Sequence, residues 1–195
     1  MSRRIGKEDS ETRTALMNAV ETIMCRDGYA ALSARSIARC AGLNYQLVFY
    51  YFEKVENLFL ATYRRRTQRL LGQIEQALDS ERPLHALWSA SSDPVEAGLA
   101  LEYMAMANHS PAIRAETIVH VERTVQLVSA KMAKRTAYDS PDPKIFTPAA
   151  VSMIVQMIGS NLGSQSVLGI AGGLGEARTL VEWLLEQMEP SQPNA

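Results

Sequence analysis

The chain has 195 residues, 47% of them hydrophobic, enough for one compact domain, or a small domain joined to a larger one, without disulfide staples. Two cysteines, Cys25 and Cys40, are too few for a disulfide framework and match no metal spacing. The opening MSRRIGKEDS lacks the apolar run of a secretory leader, so a reducing cytoplasm is expected. The net charge of −1 hides an asymmetry: residues 1–69 hold 12 Lys/Arg against 7 Asp/Glu, a net +5, and residues 70–195 hold 8 against 14, a net −6. A basic first third suggests that this part meets a polyanion.

Almost everything reads as helix, because alternating β-branched runs with turn dipeptides are missing. A first helix begins after Asp9 or Ser10 and carries Leu16, Ala19, Val20 and Ile23 at helical spacing. Gly28 suits the left-handed position that ends it. SARSIARC is a short helix capped by Ser33, Gly42 centres the turn AGL, and Asn44 caps a third helix from Tyr45 to about Tyr51. A long helix follows from Val55 to about Asp79, broken by SERP. Shorter helices are expected over Pro83–Trp88, Pro94–Asn108 and Ala112–Lys134, with YDSPDPK as the most loop-like stretch. Pro148–Ile170 and Glu176–Glu189 close the fold, and the tail PSQPNA is expected to be disordered.

Ile145–Gly175 contains no charged residue. Seven polar side chains, Ser152, Gln156, Ser160, Asn161, Ser164, Gln165 and Ser166, argue against a membrane span. A helix buried on most sides, in the core and a subunit interface, fits better. Gly159 and Gly163, four apart, permit close approach of another helix. The last helix presents Ala177, Leu180, Val181, Leu184, Leu185 and Met188 as one stripe. Both helices can therefore form a dimer bundle through Val151, Ile158, Gly159, Leu162, Gly163, Leu180, Val181, Leu184, Leu185 and Met188.

Residues 33–52 meet the physical needs of a helix-turn-helix. Ile37 and Ala38 face inward, Ala41 and Gly42 permit the turn, and Leu43 and Val48 fill the angle between the helices. Five aromatic residues, Tyr45, Phe49, Tyr50, Tyr51 and Phe52, crowd into twelve positions of a chain that is 7% aromatic. Arg13–Leu58 as a whole resembles the DNA-binding domain of the TetR family of bacterial transcriptional regulators. The carrying residues are an apolar first helix ending DGYAALS, then SIARCAGL, then NYQLVFYYFEKVENLF.

The resemblance implies an all-α protein with an N-terminal three-helix helix-turn-helix domain, residues 1–54, and a C-terminal helical ligand-binding and dimerisation domain, residues 55–190, followed by a disordered tail, 191–195. It implies a cytoplasmic homodimer on a palindromic double-stranded DNA operator, and a small-molecule effector that alters the spacing of two reading heads. The carried-over DNA-binding set is Ser33, Arg35, Asn44, Tyr45, Gln46, Leu47, Phe49, Tyr50, Tyr51 and Lys54, with Phe52 as the buried aromatic. Two positions depart from the pattern. Phe49 stands where the family usually has a phosphate-donating Tyr, and Val55 where it often has Lys, so Tyr50, Tyr51, Lys54 and backbone N–H groups are the expected phosphate contacts.

Gln46 is the strongest polar candidate for base readout, since its amide can bond adenine at two points. Arg3, Arg4 and Lys7 form an arm that is either free or laid along phosphates or in the minor groove. Of Arg64, Arg65, Arg66 and Arg69, some are expected to be simply solvated. Cys25 and Cys40 read as small core residues. Trp88, Tyr103, Met104, His120, Met153, Gln156, Met157 and Asn161 sketch an apolar effector pocket with a few polar contacts. No HExxH, His/Cys cluster, GxSxG or phosphate loop occurs, so neither a metal, a cofactor nor an enzyme activity is expected.

Overall fold

The computed structural model describes residues 10–133, 142 and 144–190; over these the chain is all-helical, with no strand. The helices are α1 (Glu11–Asp27), α2 (Ala34–Cys40), α3 (Gln46–Phe52), α4 (Val55–Leu78), α5 (Pro83–Ser91), α6 (Pro94–Ala107), α7 (Pro111–Met132), α8 (Pro148–Val167) and α9 (Leu174–Met188), with a 3-10 turn at Tyr29–Ala31. Four of the nine start on a proline at the first helical position, where the missing N–H has no intrahelical partner to lose. The expected boundaries hold within a few residues. α8 stops at Val167, earlier than Ile170, and Gly173 in the left-handed region starts α9 at Leu174.

The chain divides into two compact units, and the division differs from the expected boundary at residue 54. Of the described residues, one unit comprises those up to Gln68 with Leu101–Thr117, and the other Arg69–Ala100 with those from Ile118 on. The arm residues Arg3, Arg4 and Lys7 and the tail 191–195 lie outside the described residues.

In the first unit the core is built from Leu16, Val20, Ile23 and Met24 of α1, Ile37 and Ala38 of α2, Val48 and Phe52 of α3, and Leu58 of α4, all nearly inaccessible. Ser10 caps α1, accepting the Arg13 N–H at 3.2 Å. Gly28 ends it at φ +78°, and the Glu102 carboxylate accepts the next amide, Tyr29 N, at 2.6 Å. A Cβ at position 28 would make only an ordinary 3.4 Å contact with that carboxylate oxygen, so glycine is required there for its backbone conformation rather than for space.

The second unit is held by a core of Leu78, Leu84, Leu87, Trp88, Val128, Met132, Val151, Val155, Leu162 and Leu185. α8 packs most closely on α5, and α9 packs on both. Trp88, expected to line an effector pocket, is instead 5% exposed inside this core, with the Arg178 guanidinium 5.6 Å from its ring centre. The α8 glycines do permit close approach, but the elements that approach belong to the same chain. A Cβ on Gly159 would meet Ser91, and one on Gly163 would meet Ala97 and the Ser92 and Asp93 carbonyls. Val151, Leu162 and Leu185 are likewise consumed by the core of one chain, and Val181 and Met188 pack against it. The burial of Val151, Leu162 and Leu185 removes them from the expected dimer set; Val181 and Met188 stay partly accessible, and Ile158, Leu180 and Leu184 are exposed. No helix among the described residues is long and apolar enough to cross a membrane.

Candidate nucleic-acid interface

Local hydrogen bonds set the ends of the helix pair α2–α3. Ser33 and Ser36 form a reciprocal capping box: Ser33 Oγ accepts the Ser36 N–H at 3.1 Å, and Ser36 Oγ accepts the Ser33 N–H at 2.9 Å. Gly42, at φ +67°, lets the chain reverse so that Leu43 N–H reaches the Ala38 carbonyl at 2.8 Å. Asn44 then accepts the Gln46 N–H through Oδ1 at 2.9 Å, which starts α3 one residue later than expected, with Tyr45 as the flanking residue. After Phe52 the chain turns sharply: Glu53 takes φ +63°, a conformation that costs a non-glycine residue ~1 kcal/mol. The Asn57 amide donates to the Phe52 carbonyl at 2.8 Å and holds the corner.

This scaffold sorts the aromatic run into two populations. Val48 and Phe52 point inward, 0% and 4% exposed, and Leu43 is half-buried. The Arg13 guanidinium lies 4.8 Å from the centre of the Phe52 ring, a contact that sequence spacing does not announce. Tyr45, Gln46 and Tyr50 are exposed, and Leu47, Phe49 and Tyr51 are half-buried beside them. The rings order one another: Tyr45 meets Phe49 edge-on at 6.4 Å, and Tyr50 meets Tyr51 edge-on at 4.9 Å. Arg35, Asn44 and Lys54 are exposed around the same helix. Residues 41–52 carry no charge, so the outward surface of α3 is apolar with amide and hydroxyl groups, and the nearby cations stand at its edges.

Ser33 stays near the surface, but its hydroxyl is engaged in the capping box, so its first role is to build α2. Asn44 similarly spends its carbonyl oxygen on Gln46 and keeps its exposed NH₂ as a donor. Of the α4 arginines, Arg64 and Arg69 are exposed as expected for some of the set, but each is also paired with a carboxylate. Arg64 pairs with Glu116; Arg65 pairs with Glu21 at 3.3 Å and donates to Asn18 at 2.8 Å; Arg69 pairs with Glu96 at 3.1 Å. Arg66 is 4% exposed with its guanidinium 5.8 Å from the centre of the Tyr103 ring. Cys25 and Cys40, expected in the core, are both exposed.

Of the expected effector residues, the structure brings His120, Met153, Gln156 and Met157 together. With Val121, Thr124, Val125, Val128, Ala149 and Ser152 they line a cleft of about 180 Å³ between α7 and α8. Its hydroxyls and one amide arm are turned to their own helices: Thr124 donates to the His120 carbonyl, Ser152 to Pro148, and the Gln156 NH₂ to Ser152. Tyr103 and Met104 belong to the other unit, Tyr103 buried against Tyr63 at 4.7 Å and Met104 exposed. Asn161 is exposed, accepting from the Gln165 amide. Trp88, Tyr103, Met104 and Asn161 therefore do not line this cleft.

No protein-family model and no curated protein sequence matches the chain. Solved structures match across nearly its whole length. A Rhodococcus sp. protein assigned to the TetR family of transcriptional regulators superposes with a TM-score of 0.73 at 16% identity, covering 92% of this chain and 100% of that one. A TetR transcription regulator from Haloarcula marismortui gives 0.67 at 20% identity, covering 91% and 98%. NalD, the secondary repressor of the MexAB-OprM multidrug efflux pump in Pseudomonas aeruginosa, gives 0.62 at 18% identity, covering 93% and 98%. The fold is therefore that of TetR-family regulators: an N-terminal helix-turn-helix with a helical C-terminal part.

Proposed function

We propose that this chain, which has the fold of TetR-family regulators, is a DNA-binding transcriptional regulator: a repressor that acts as a homodimer on a palindromic operator and is released by a small, largely apolar molecule. The observation that carries the reading is the outward face of α3. Gln46 and Tyr50, with Tyr45 at its start, stand exposed on a short helix whose opposite face is locked into the core, and Arg35 and Lys54 flank it. Surface aromatic rings of this density have little value to a lone folded domain; against DNA, Tyr50 with Leu47 and Tyr51 beside it supplies thymine-methyl and sugar contacts, Gln46 supplies an adenine pair, and the flanking Lys54 supplies phosphate attraction. No group of His, Cys, Asp or Glu able to hold a metal ion occurs among the described residues, and regulation rather than catalysis is the reading the solved neighbours support.

Dimerisation follows from geometry and from energetics. One reading head makes too few contacts for tight operator binding, and two-fold operators need two heads. The outward faces of α8 and α9 carry Ile154, Met157, Ile158, Leu180, Trp183 and Leu184, each between 37% and 63% exposed, an apolar surface that a second copy would cover. The effector is assigned to the α7–α8 cleft. Because most of the cleft's polar groups are already bonded within their helices, it favours an apolar ligand. Such a ligand releases DNA by binding more tightly to the conformer whose heads do not match successive major grooves.

The test is a binding-site selection from random double-stranded DNA, followed by titration of the selected site with a panel of small apolar compounds. Enrichment of an inverted repeat, and loss of affinity with at least one compound, are expected. Failure to enrich any sequence would overturn the regulator reading. Enrichment without any compound effect would leave a ligand-independent dimeric DNA-binding protein.

A further inference from the structure

We propose that Arg35 and Tyr45 act as one base-reading unit, with Tyr45 as the positioning residue that aims the Arg35 guanidinium at a guanine; the inference rests on the DNA-binding reading above. Three cations lie between residues 33 and 54: Arg35, Arg39 and Lys54. Arg39 lines a separate cleft with Ile23, Arg26, Asp27 and Cys40, at the end of α1. Lys54 sits beyond the corner that follows α3. Arg35 alone is set over a residue of the reading surface: its guanidinium carbon lies 5.8 Å from the centre of the Tyr45 ring. It is exposed and pairs with no carboxylate among the described residues, so its donors are available to a ligand.

An exposed arginine samples many rotamers, and each must be given up before it can present two parallel N–H groups to guanine O6 and N7. A ring beneath the guanidinium removes part of that loss before binding, because the cation is drawn to the π-face. The ring is itself held. Tyr45 meets Phe49, one turn further along α3, edge to face at 6.4 Å and 88°. Arg35, Tyr45 and Phe49 thus form a continuous chain of contacts from α2 across the turn to α3. This chain of contacts gives Phe49 a role that needs no hydroxyl: it braces Tyr45. Gln46 follows Tyr45 directly and offers the complementary adenine contact. Each reading head then specifies one G·C step through Arg35 and one A·T step through Gln46, with apolar contacts between.

The proposal is tested by base-substituted operator half-sites, measured with the full-length wild type and with R35A, Y45A, Y45F and R35A/Y45A, each first checked for unchanged circular dichroism and melting. Wild type should prefer guanine at one step roughly tenfold or more over other bases. R35A should abolish that preference. Y45A should lower it about threefold while leaving the adenine step intact, Y45F should retain it, and Y45A should add nothing in the R35A background. Equal effects of Y45A with and without Arg35, or a Y45F protein that behaves like Y45A, would overturn the proposal by showing that Tyr45 reads DNA on its own. A guanine step insensitive to R35A would overturn it too. Wild type that binds no operator at all would overturn the DNA-binding reading and this pair with it. If Y45A melts early, F49A removes the brace instead and should weaken the guanine preference more than the adenine preference; an F49A protein that lowers both equally would overturn the bracing role.

Discussion

Tyr63 and Tyr103 lie ring against ring in one core, yet their hydroxyls meet different fates. Tyr63 donates to Thr117 Oγ1 at 2.9 Å, whereas the Tyr103 hydroxyl finds no hydrogen-bond partner among the described residues. Burial pushes both phenols above their ordinary range, so neither ionises near neutral pH. A buried hydroxyl without a partner is a cost of about 1–3 kcal/mol that phenylalanine avoids. Y103F should therefore leave stability unchanged or raise it by ~1 kcal/mol in urea unfolding, while Y63F should lower it by ~1 kcal/mol; a Y103F protein as weakened as Y63F would show that the Tyr103 hydroxyl has a partner after all. On the reading surface, Q46A should flatten base preference at one step per half-site, by about 1–3 kcal/mol, without changing affinity for non-specific DNA. A selection giving the same motif for Q46A would remove Gln46 from the readout. Gln46 was legible in the sequence because the helix-turn-helix pattern fixes which positions face out. The ion pairs of Arg64, Arg65 and Arg69 were not, since their acidic partners lie 27 to 52 positions away in the chain for two of them and on α1 for the third.

Helix ends in this protein are stitched to other helices. Glu189, just past α9, accepts the Leu84 N–H at 3.0 Å and the His85 N–H at 3.2 Å, supplying the cap that α5 lacks because Pro83 and Arg82 offer none. Arg82 reaches back to Glu186, so the two termini are joined by charge as well. E189A should cost about 1–2 kcal/mol, read as an earlier thermal midpoint. An unchanged midpoint would mean that water caps α5 equally well. The α8 glycines make a sharper comparison. Gly to Ala inside a helix gains ~1 kcal/mol of propensity, and overpacking costs ~1–3 kcal/mol. At Gly159 the nearest obstacle is the Ser91 hydroxyl, which can rotate away; at Gly163 it is the Ala97 Cβ at 2.7 Å, with two backbone carbonyl oxygens behind it. G163A should therefore destabilise more than G159A in the same unfolding assay, and the reverse order would sink this account of the packing. The sequence allowed a close approach to α8, because two glycines four apart lie in a charge-free helix. It could not show that the neighbour is α5 and the start of α6 in the same chain, since an identical spacing serves contacts within and between subunits.

At the scale of the molecule, α8 faces two ways. Val151, Val155, Gly159, Leu162 and Gly163 face the core of their own chain, and Ile154, Met157 and Ile158 face outward. α9 repeats the arrangement, with Leu185 inside and Leu180, Trp183 and Leu184 outside. Helical periodicity gave the stripe but not its division, because α9 is short enough that both flanks of an apolar stripe read as one. Trp183 stood outside the expected interface set for that reason: it lies off the stripe in sequence, yet it is 58% exposed among the other large apolar residues of α9. A surface of this kind on a lone chain favours self-association, since burying even part of each side chain gains about 25 cal/mol per Å². The proposed dimer therefore predicts a particular pattern for W183R. A guanidinium facing its two-fold mate places like charges together and removes a large apolar contact, so the variant should sediment as a monomer at concentrations where wild type is a dimer. Its core residues are untouched, so its far-ultraviolet circular dichroism and the melting of the chain measured at high concentration of stabilising salt should stay close to wild type. Affinity for a full inverted repeat should fall by tenfold or more, whereas affinity for a single half-site should not change, because each reading head is intact and only the coupling of two binding events is lost. A W183R protein that remains dimeric would move the interface elsewhere, and a monomeric W183R that still binds the inverted repeat with wild-type affinity would break the link between dimerisation and operator recognition on which the repressor reading depends.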